Sequence, residues 1–275
     1  MSYHGRGGVI GDYKIDREVA QARTTWSFDA THARLGREVA LKLMAPLHTY
    51  RGSQQQFLRE ADVLDRLRHP GVARVYDCGT LADGRPWFAT DRAIGPTLAE
   101  VISSGARVDP LRVVLELASV LEHAHRNGIA HRALRADAIT CGTDPRGPAL
   151  RVDDWSASRE LASSPSDAPA DVYALGVIAF QCLSGVMAFG SSGLALQPGA
   201  SVAARFPRAS RLLTALIDRM LSRDVRARPS IGEVREAAGA LVVSQLPVDA
   251  DRCEADSGEL TRIEMVGTAA RAAVG

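Results

Sequence analysis

The stretch AHRALRADAIT, residues 130–140, decides how this chain is to be read. A helix-like segment precedes it, and a turn rich in glycine and proline, CGTDPRGP at 141–148, follows. Within it His131, Arg132 and Arg135 alternate with Ala133, Ala136 and Ala138. One imidazole and two guanidinium groups in a short loop make the framework of a site. The methyl groups between them can neither accept a proton nor ligate a cation.

Composition narrows the classes first. The 275 residues are 46% hydrophobic, enough for a sizeable core in one large domain or two lobes. A formal net charge of +1 leaves no overall basic field, so neither nucleic acid nor an anionic membrane is the expected partner. Cys78, Cys141, Cys182 and Cys253 lie far apart without CxxC spacing, which argues against structural zinc and for reduced thiols. The opening MSYHGRGGVIGDYK has no long apolar run, so no leader peptide is expected. Residues 172–189, VYALGVIAFQCLSGVMAF, are apolar, but Gln181, Ser184 and Gly185 interrupt them. A buried helix capped by Asp171 and ending near Gly185 is expected there rather than a membrane span.

Two halves differ in period. Between residues 13 and 95, β-rich runs (YKIDREVA, TWSFDAT, REVALKLM, VARVYDCG, PWFATDR) are separated by turn signals, giving five strands. One helical pattern interrupts them at 53–68, with Phe57, Val63, Leu64 and Leu67 on a single face. From about 97 the pattern is helical. Asp109 is placed to cap a helix with Pro110 in its first turn, Leu111, Val114, Leu115, Ala118 and Leu121 on its apolar face, and Asn127-Gly128 at its stop. Further helices are expected around 210–222 and 230–243, whereas Gly, Pro and Ser in 190–208 favour a loop. After about 245 the periodicity is lost, as in a disordered tail.

A β-rich lobe with one helix, followed by a helical lobe, resembles a protein kinase, most closely a bacterial serine/threonine kinase, and specific motifs agree over residues 13–243. REVALKLM resembles the V-A-I-K strand and puts Lys42 where the family's lysine grips nucleotide phosphates. Glu60 falls where the lobe's helix supplies that lysine's glutamate, and Thr90 where the hinge carries its gatekeeper. HRALRADAIT resembles the catalytic loop H-R-D-L-K-x-x-N, VDDWSASRE the D-F-G segment, DVYALGVIAFQCLSG the central helix, and LSRDVRARPS the late segment whose arginine is Arg228. The resemblance implies an α+β, bilobal kinase-like fold: an N-terminal tail at 1–12, an N-lobe at 13–95, a C-lobe at 96–244 and a C-terminal tail at 245–275.

The same resemblance shows what is missing. Ala133 stands where the family has the aspartate that takes the substrate hydroxyl's proton. Arg135 replaces the lysine that steadies the moving phosphoryl group, and Ala138 the asparagine that holds magnesium. His131 and Arg132, which pack the loop onto the aspartate of the central helix, here Asp171, persist. Losing a base costs about 10² to 10⁴ in rate against turnover of roughly 1–100 s⁻¹, so this loss alone would leave a detectable enzyme. Other losses accompany it. The glycine-rich loop is replaced by AQARTT at 20–25, where Arg23 is expected to face solvent. Asp154 keeps the metal-ligand position, Trp155 replaces phenylalanine as a packing residue, and Ser156 replaces glycine. Only residues 155–170, sixteen in all, separate Asp154 from Asp171, too few for the usual activation segment and its A-P-E. Arg228 thereby loses its glutamate, for which Glu160 and Asp167 are the candidates.

These losses imply a pseudokinase, a scaffold or allosteric regulator in bacterial Ser/Thr phosphorylation signalling, expected in the cytoplasm. Its expected partner is an active Ser/Thr kinase or a phosphothreonine-binding domain, with no membrane insertion, and Thr261 in DSGELTRIEM is a candidate phosphosite. No cofactor is required, and ATP and Mg²⁺ are bound weakly or not at all. Lys42 survives in a chain whose only other lysine is Lys14, as do Glu60 and Asp154. They would form a residual nucleotide site, or Lys42 and Glu60 simply clamp helix to sheet. A divergent kinase with Asp137 as nearest carboxylate, and a nucleotide sensor without turnover, are the alternatives.

Overall fold

In the computed structural model, residues 6–46, 51–143, 149–161, 164, 167–186 and 201–245 are described. Thr261, Cys253 and the expected tail beyond 245 lie outside them. The N-lobe is a six-stranded antiparallel sheet in the order β1-β2-β3-β4-β6-β5: β1 Val9–Ile10, β2 Tyr13–Gln21, β3 Thr25–His32, β4 Glu38–Met44, β5 Val75–Thr80 and β6 Pro86–Asp91. The sixth strand, β1, falls within residues 1–12, expected as an N-terminal tail. Two residues are too short for a period, yet Ile10 pairs with Tyr13 and is fully buried.

Alternation along β4 places the site. Val39, Leu41 and Leu43 are buried against Ile10, Tyr13, Ile15, Phe28 and Trp87 in a core on one sheet face. Lys42 therefore points to the other face, towards α1 (Arg51–Arg66), whose Phe57 ring lies 5.1 Å from that of Phe88 on β6. Burying the Phe57, Leu64 and Leu67 stripe fixes the helix against the sheet.

The C-lobe packs α3 (Pro110–Arg126), α4 (Asp167–Ser184), α6 (Arg211–Met220) and α7 (Ile231–Gln245) around Leu117, Leu121, Leu175, Ile178, Ile217 and Val234. The sequence signals of α3 work as expected: the Asp109 carboxylate accepts from the Leu111 amide, Pro110 opens the helix, and Gly128 follows Asn127 with φ 73°. Short helices α2 (Leu98–Ser103) and α5 (Val202–Arg205) complete the lobe, the latter inside 190–208, where composition favoured a loop over a shortened helix. Small strands β7 (Ile129–Ala130), β8 (Ile139–Cys141), β9 (Leu150–Val152) and β10 (Arg159–Glu160) pair as β7-β10 and β8-β9 at the top of this lobe. α4 ends at Ser184 before Gly185 (φ 66°), and no helix among the described residues is long and apolar enough to cross a membrane.

Its start differs from expectation. The helix begins at Asp167, one turn before Asp171, because Pro169 is tolerated in a first turn whose amides have no helical partner. Asp171 is thus an internal helix residue and not a cap, which frees its carboxylate for the loop described next.

Candidate functional site

Asp171 is fully buried and accepts three hydrogen bonds: from the His131 amide at 2.8 Å, the Arg132 amide at 2.7 Å and, at 2.9 Å, from His125 Nε2. Two amides from the loop and one imidazole from α3 thereby converge on a single carboxylate. Arg132 adopts φ 67°, a left-handed turn that directs both amides inward. The His131 ring packs against Trp155 with centroids 4.6 Å apart. Its Nε2 donates to the Asp153 carbonyl at 3.0 Å, and its Nδ1 accepts from the Ala133 amide at 3.3 Å. This pattern requires a neutral imidazole, and burial pushes its pKa down, outweighing the backbone carbonyl of Asp153 and the nearby carboxylates. Trp155, itself fully buried, donates from Nε1 to the Val152 carbonyl at 3.0 Å and packs, in a 3-10 turn over Trp155–Ala157, against α1.

Across the cleft, Lys42 Nζ lies 2.6 Å from Glu60 Oε1, so β4 and α1 are joined by an ion pair whose carboxylate is buried. Thr90, buried on β6, sits opposite Ala40 with its hydroxyl 3.5 Å from that residue's carbonyl. The hairpin over AQARTT closes with the Ala22 amide donating to the Thr25 carbonyl at 2.9 Å. Every residue of that turn keeps negative φ, and Arg23 is exposed.

The loop's remaining residues surround Asp154. Ala133 is half-buried, and Ala138 is only 3% exposed, its carbonyl accepting from the Asp153 amide at 2.8 Å in a 3-10 turn. Arg135 Nε lies 2.7 Å from Asp137 Oδ1, and its Nη1 lies 3.1 Å from Asp154 Oδ2. Ser156 Oγ donates to Asp154 Oδ1 at 2.6 Å, and Asp154 itself holds φ 57°. Burial pushes the Asp154 pKa up, but the Ser156 hydroxyl and the charges of Lys42 and Arg135 outweigh it and leave it below the ordinary carboxylate range. Contact with the carboxylate of Asp137, larger than the opposing burial, raises Arg135.

The kinase resemblance implies magnesium here, and the donors do not fit it. A hard divalent cation needs about six oxygens in near-octahedral array. Asp154 is paired through both oxygens, Asp137 is turned to Arg135, and Ala133 and Ala138 supply none. No group of three or more His, Cys, Asp or Glu side chains among the described residues could hold a metal.

Below the cleft, β10 pairs with β7 and Glu160 lies 3.6 Å from Arg66 of α1. Asp167 pairs with Arg132 at 3.2 Å. Arg228 therefore takes neither candidate carboxylate. It donates to the Ser222 carbonyl at 2.9 Å and the Pro169 carbonyl at 3.0 Å, and stacks 4.7 Å from the Tyr173 ring centroid. One backbone carbonyl in the first turn of α4 and one just after α6 serve as its acceptors in place of an anion. Sequence reading also missed His125 and the Arg135–Asp154 bridge. His125 lies 46 residues from Asp171, a separation that no periodic pattern links.

A β-sheet lobe carrying a lysine–glutamate pair, over a helical lobe that anchors a histidine–arginine loop to a buried aspartate, is kinase architecture. The protein kinase domain family model matches residues 13–168, and the chain belongs to that family. Among its relatives is serine/threonine-protein kinase PknJ of Mycobacterium tuberculosis, 27% identical over 271 residues, covering 85% of this chain and 46% of PknJ. Serine/threonine-protein kinase pkn3 of Myxococcus xanthus is also 27% identical over 271 residues, covering 82% of this chain and 49% of pkn3. The chain thus spans about half the length of these curated relatives. In fold it is similar to the kinase domain of Mycobacterium tuberculosis PknI, with a TM-score of 0.68 at 23% identity, covering 86% of this chain and 98% of that one.

Proposed function

We propose that this domain is a catalytically silent kinase homologue that acts by binding another protein. The observation that carries the reading is the contrast within one loop. His131, Arg132 and Asp171 keep a fully bonded scaffold, while Ala133 offers no base. Asp137, the nearest carboxylate, is paired with Arg135 at 2.7 Å, which argues against its serving as a substitute base. Removing the base, the metal donors and the glycine cradle together takes away far more than the roughly 10² to 10⁴ due to the base alone. A preserved shape without chemistry suits a scaffold or allosteric regulator in Ser/Thr phosphorylation signalling in the cytoplasm. Its partner is then an active Ser/Thr kinase or a phosphothreonine-binding domain, the latter reading Thr261 once phosphorylated.

The test is transfer of radiolabelled γ-phosphate from ATP, with Mg²⁺ or Mn²⁺, to the chain itself and to a general protein substrate. Incorporation by the wild type should match that of Lys42→Ala. Transfer that disappears in both Lys42→Ala and Asp154→Ala would overturn the reading in favour of a divergent kinase.

A further inference from the structure

We propose that the Arg135 guanidinium stands in the divalent-cation position of this cleft, so that a nucleoside triphosphate binds here as the metal-free polyanion, held by Lys42 and Arg135. The inference deepens the silent-homologue reading and rests on it. Arg135 is 52% exposed at the cleft face of the loop, bridging Asp154 and Asp137 through Nη1 and Nε. A guanidinium carries five N–H donors, and the half-exposed group presents part of that fork to solvent at the cleft. Lys42, 30% exposed and 2.6 Å from Glu60, brings one cation to the cleft from the N-lobe, and Arg135, 3.1 Å from Asp154, brings the other from the C-lobe loop. A planar guanidinium matches phosphate oxygens through paired N–H groups, and an ammonium supplies the second positive charge.

Backbone donors give little help here. The Ala22 amide is used in closing its own turn, and Ala20 and Gln21 face Ser27 and Trp26 across the hairpin. Affinity for phosphate must therefore come from the side-chain cations. A magnesium chelate would arrive with much of its negative charge already neutralised, would meet two cations, and would find no free oxygen ligand. Magnesium should consequently weaken binding, the reverse of its effect at a site built around a metal.

The experiment is a fluorescence-anisotropy titration of the full chain with a ribose-labelled fluorescent ATP, in EDTA and in excess MgCl₂. Arg135→Gln, Arg135→Lys and Lys42→Ala are titrated beside it, with thermal unfolding confirming that each variant is folded. Wild type should bind in EDTA and weaken about tenfold in magnesium, as expected when one charge-assisted contact is lost. Arg135→Gln should weaken about tenfold in EDTA, and Arg135→Lys should retain most of the binding. Binding that requires magnesium, an Arg135→Gln titration identical to wild type, or no binding in either buffer overturns the proposal. Phosphate transfer is read separately on the same samples. A silent protein that needs magnesium to bind nucleotide sinks this inference alone, whereas transfer sinks the reading beneath it.

Discussion

Replacing Asp171 by alanine should unfold this domain far more readily than removing the Asp154 carboxylate from the cleft. The carboxylate has no exposed surface and satisfies the His131 amide, the Arg132 amide and His125 Nε2. Without it, one buried amide, one part-buried amide and an imidazole lose their acceptor, at about 1–3 kcal/mol for each unsatisfied group. Water entering the vacated space relieves part of that. The net cost then falls near the roughly 3–5 kcal/mol of breaking a buried charged network by deleting one partner. At about 2–4 °C per kcal/mol for a domain of this size, a loss of ~4 kcal/mol lowers the midpoint by roughly 12 °C. Asp171→Asn should lie between, at about 2–3 kcal/mol, because its amide nitrogen would face an N–H donor. The assay is urea unfolding followed by tryptophan fluorescence, for which fully buried Trp155 beside His131 is a local reporter. Asp154→Ala is the control: that side chain is 35% exposed, and its bridge to Arg135 is worth under about 1 kcal/mol. If Asp171→Ala unfolds within about 1 kcal/mol of wild type, the loop is held by something other than this carboxylate and the scaffold argument fails.

Three further outcomes follow from the same geometry. Trp155→Ala empties a fully buried site and should cost about 3–5 kcal/mol, while Trp155→Phe, losing the bond to the Val152 carbonyl but keeping the ring, should cost about 1 kcal/mol; equal midpoints for the two would contradict the packing role. The Asp154 carboxyl is depressed in the folded chain, so its contribution is present above its unfolded pKa of about 3.9 and is lost as pH falls through the lower folded value; the stability difference between wild type and Asp154→Asn should be flat at neutral pH and shift against wild type only below about pH 4. In a Cys253→Ser background, a thiol reagent at mildly alkaline pH should modify exposed Cys78 first, since burial pushes Cys141 up to about 11 and Cys182 up to about 12; labelling of the buried pair without denaturant would show an opening that the packed core forbids.

Much of the fold was legible because its signals are local. Asp109, Pro110 and Asn127-Gly128 bounded α3 to the residue, and Lys42 was placed on its strand by the likeness of REVALKLM to the family's V-A-I-K motif. Glu60 was legible too, but only through the resemblance, which sets the glutamate of the lobe's single helix against that lysine, and the 2.6 Å pair agrees with it. The first strand was not, because two residues carry no period, and neither was the start of α4, where Pro169 looks like a breaker but occupies a first turn that tolerates it.

The sequence by itself determined the family order of the motifs and which side chains they lack, because alanine at 133 and 138 carries neither a carboxylate nor an amide in any fold. Tertiary structure decided how the charges pair. Arg135 had Asp137 close along the chain and Asp154 nineteen positions away, and it bridges both. Arg228 had two candidate carboxylates and took backbone carbonyls instead, while Asp167 went to Arg132 and Glu160 to Arg66. Ion pairing depends on which groups the packed core brings within about 4 Å, and that distance is set by the burial of apolar faces rather than by the charged residues themselves.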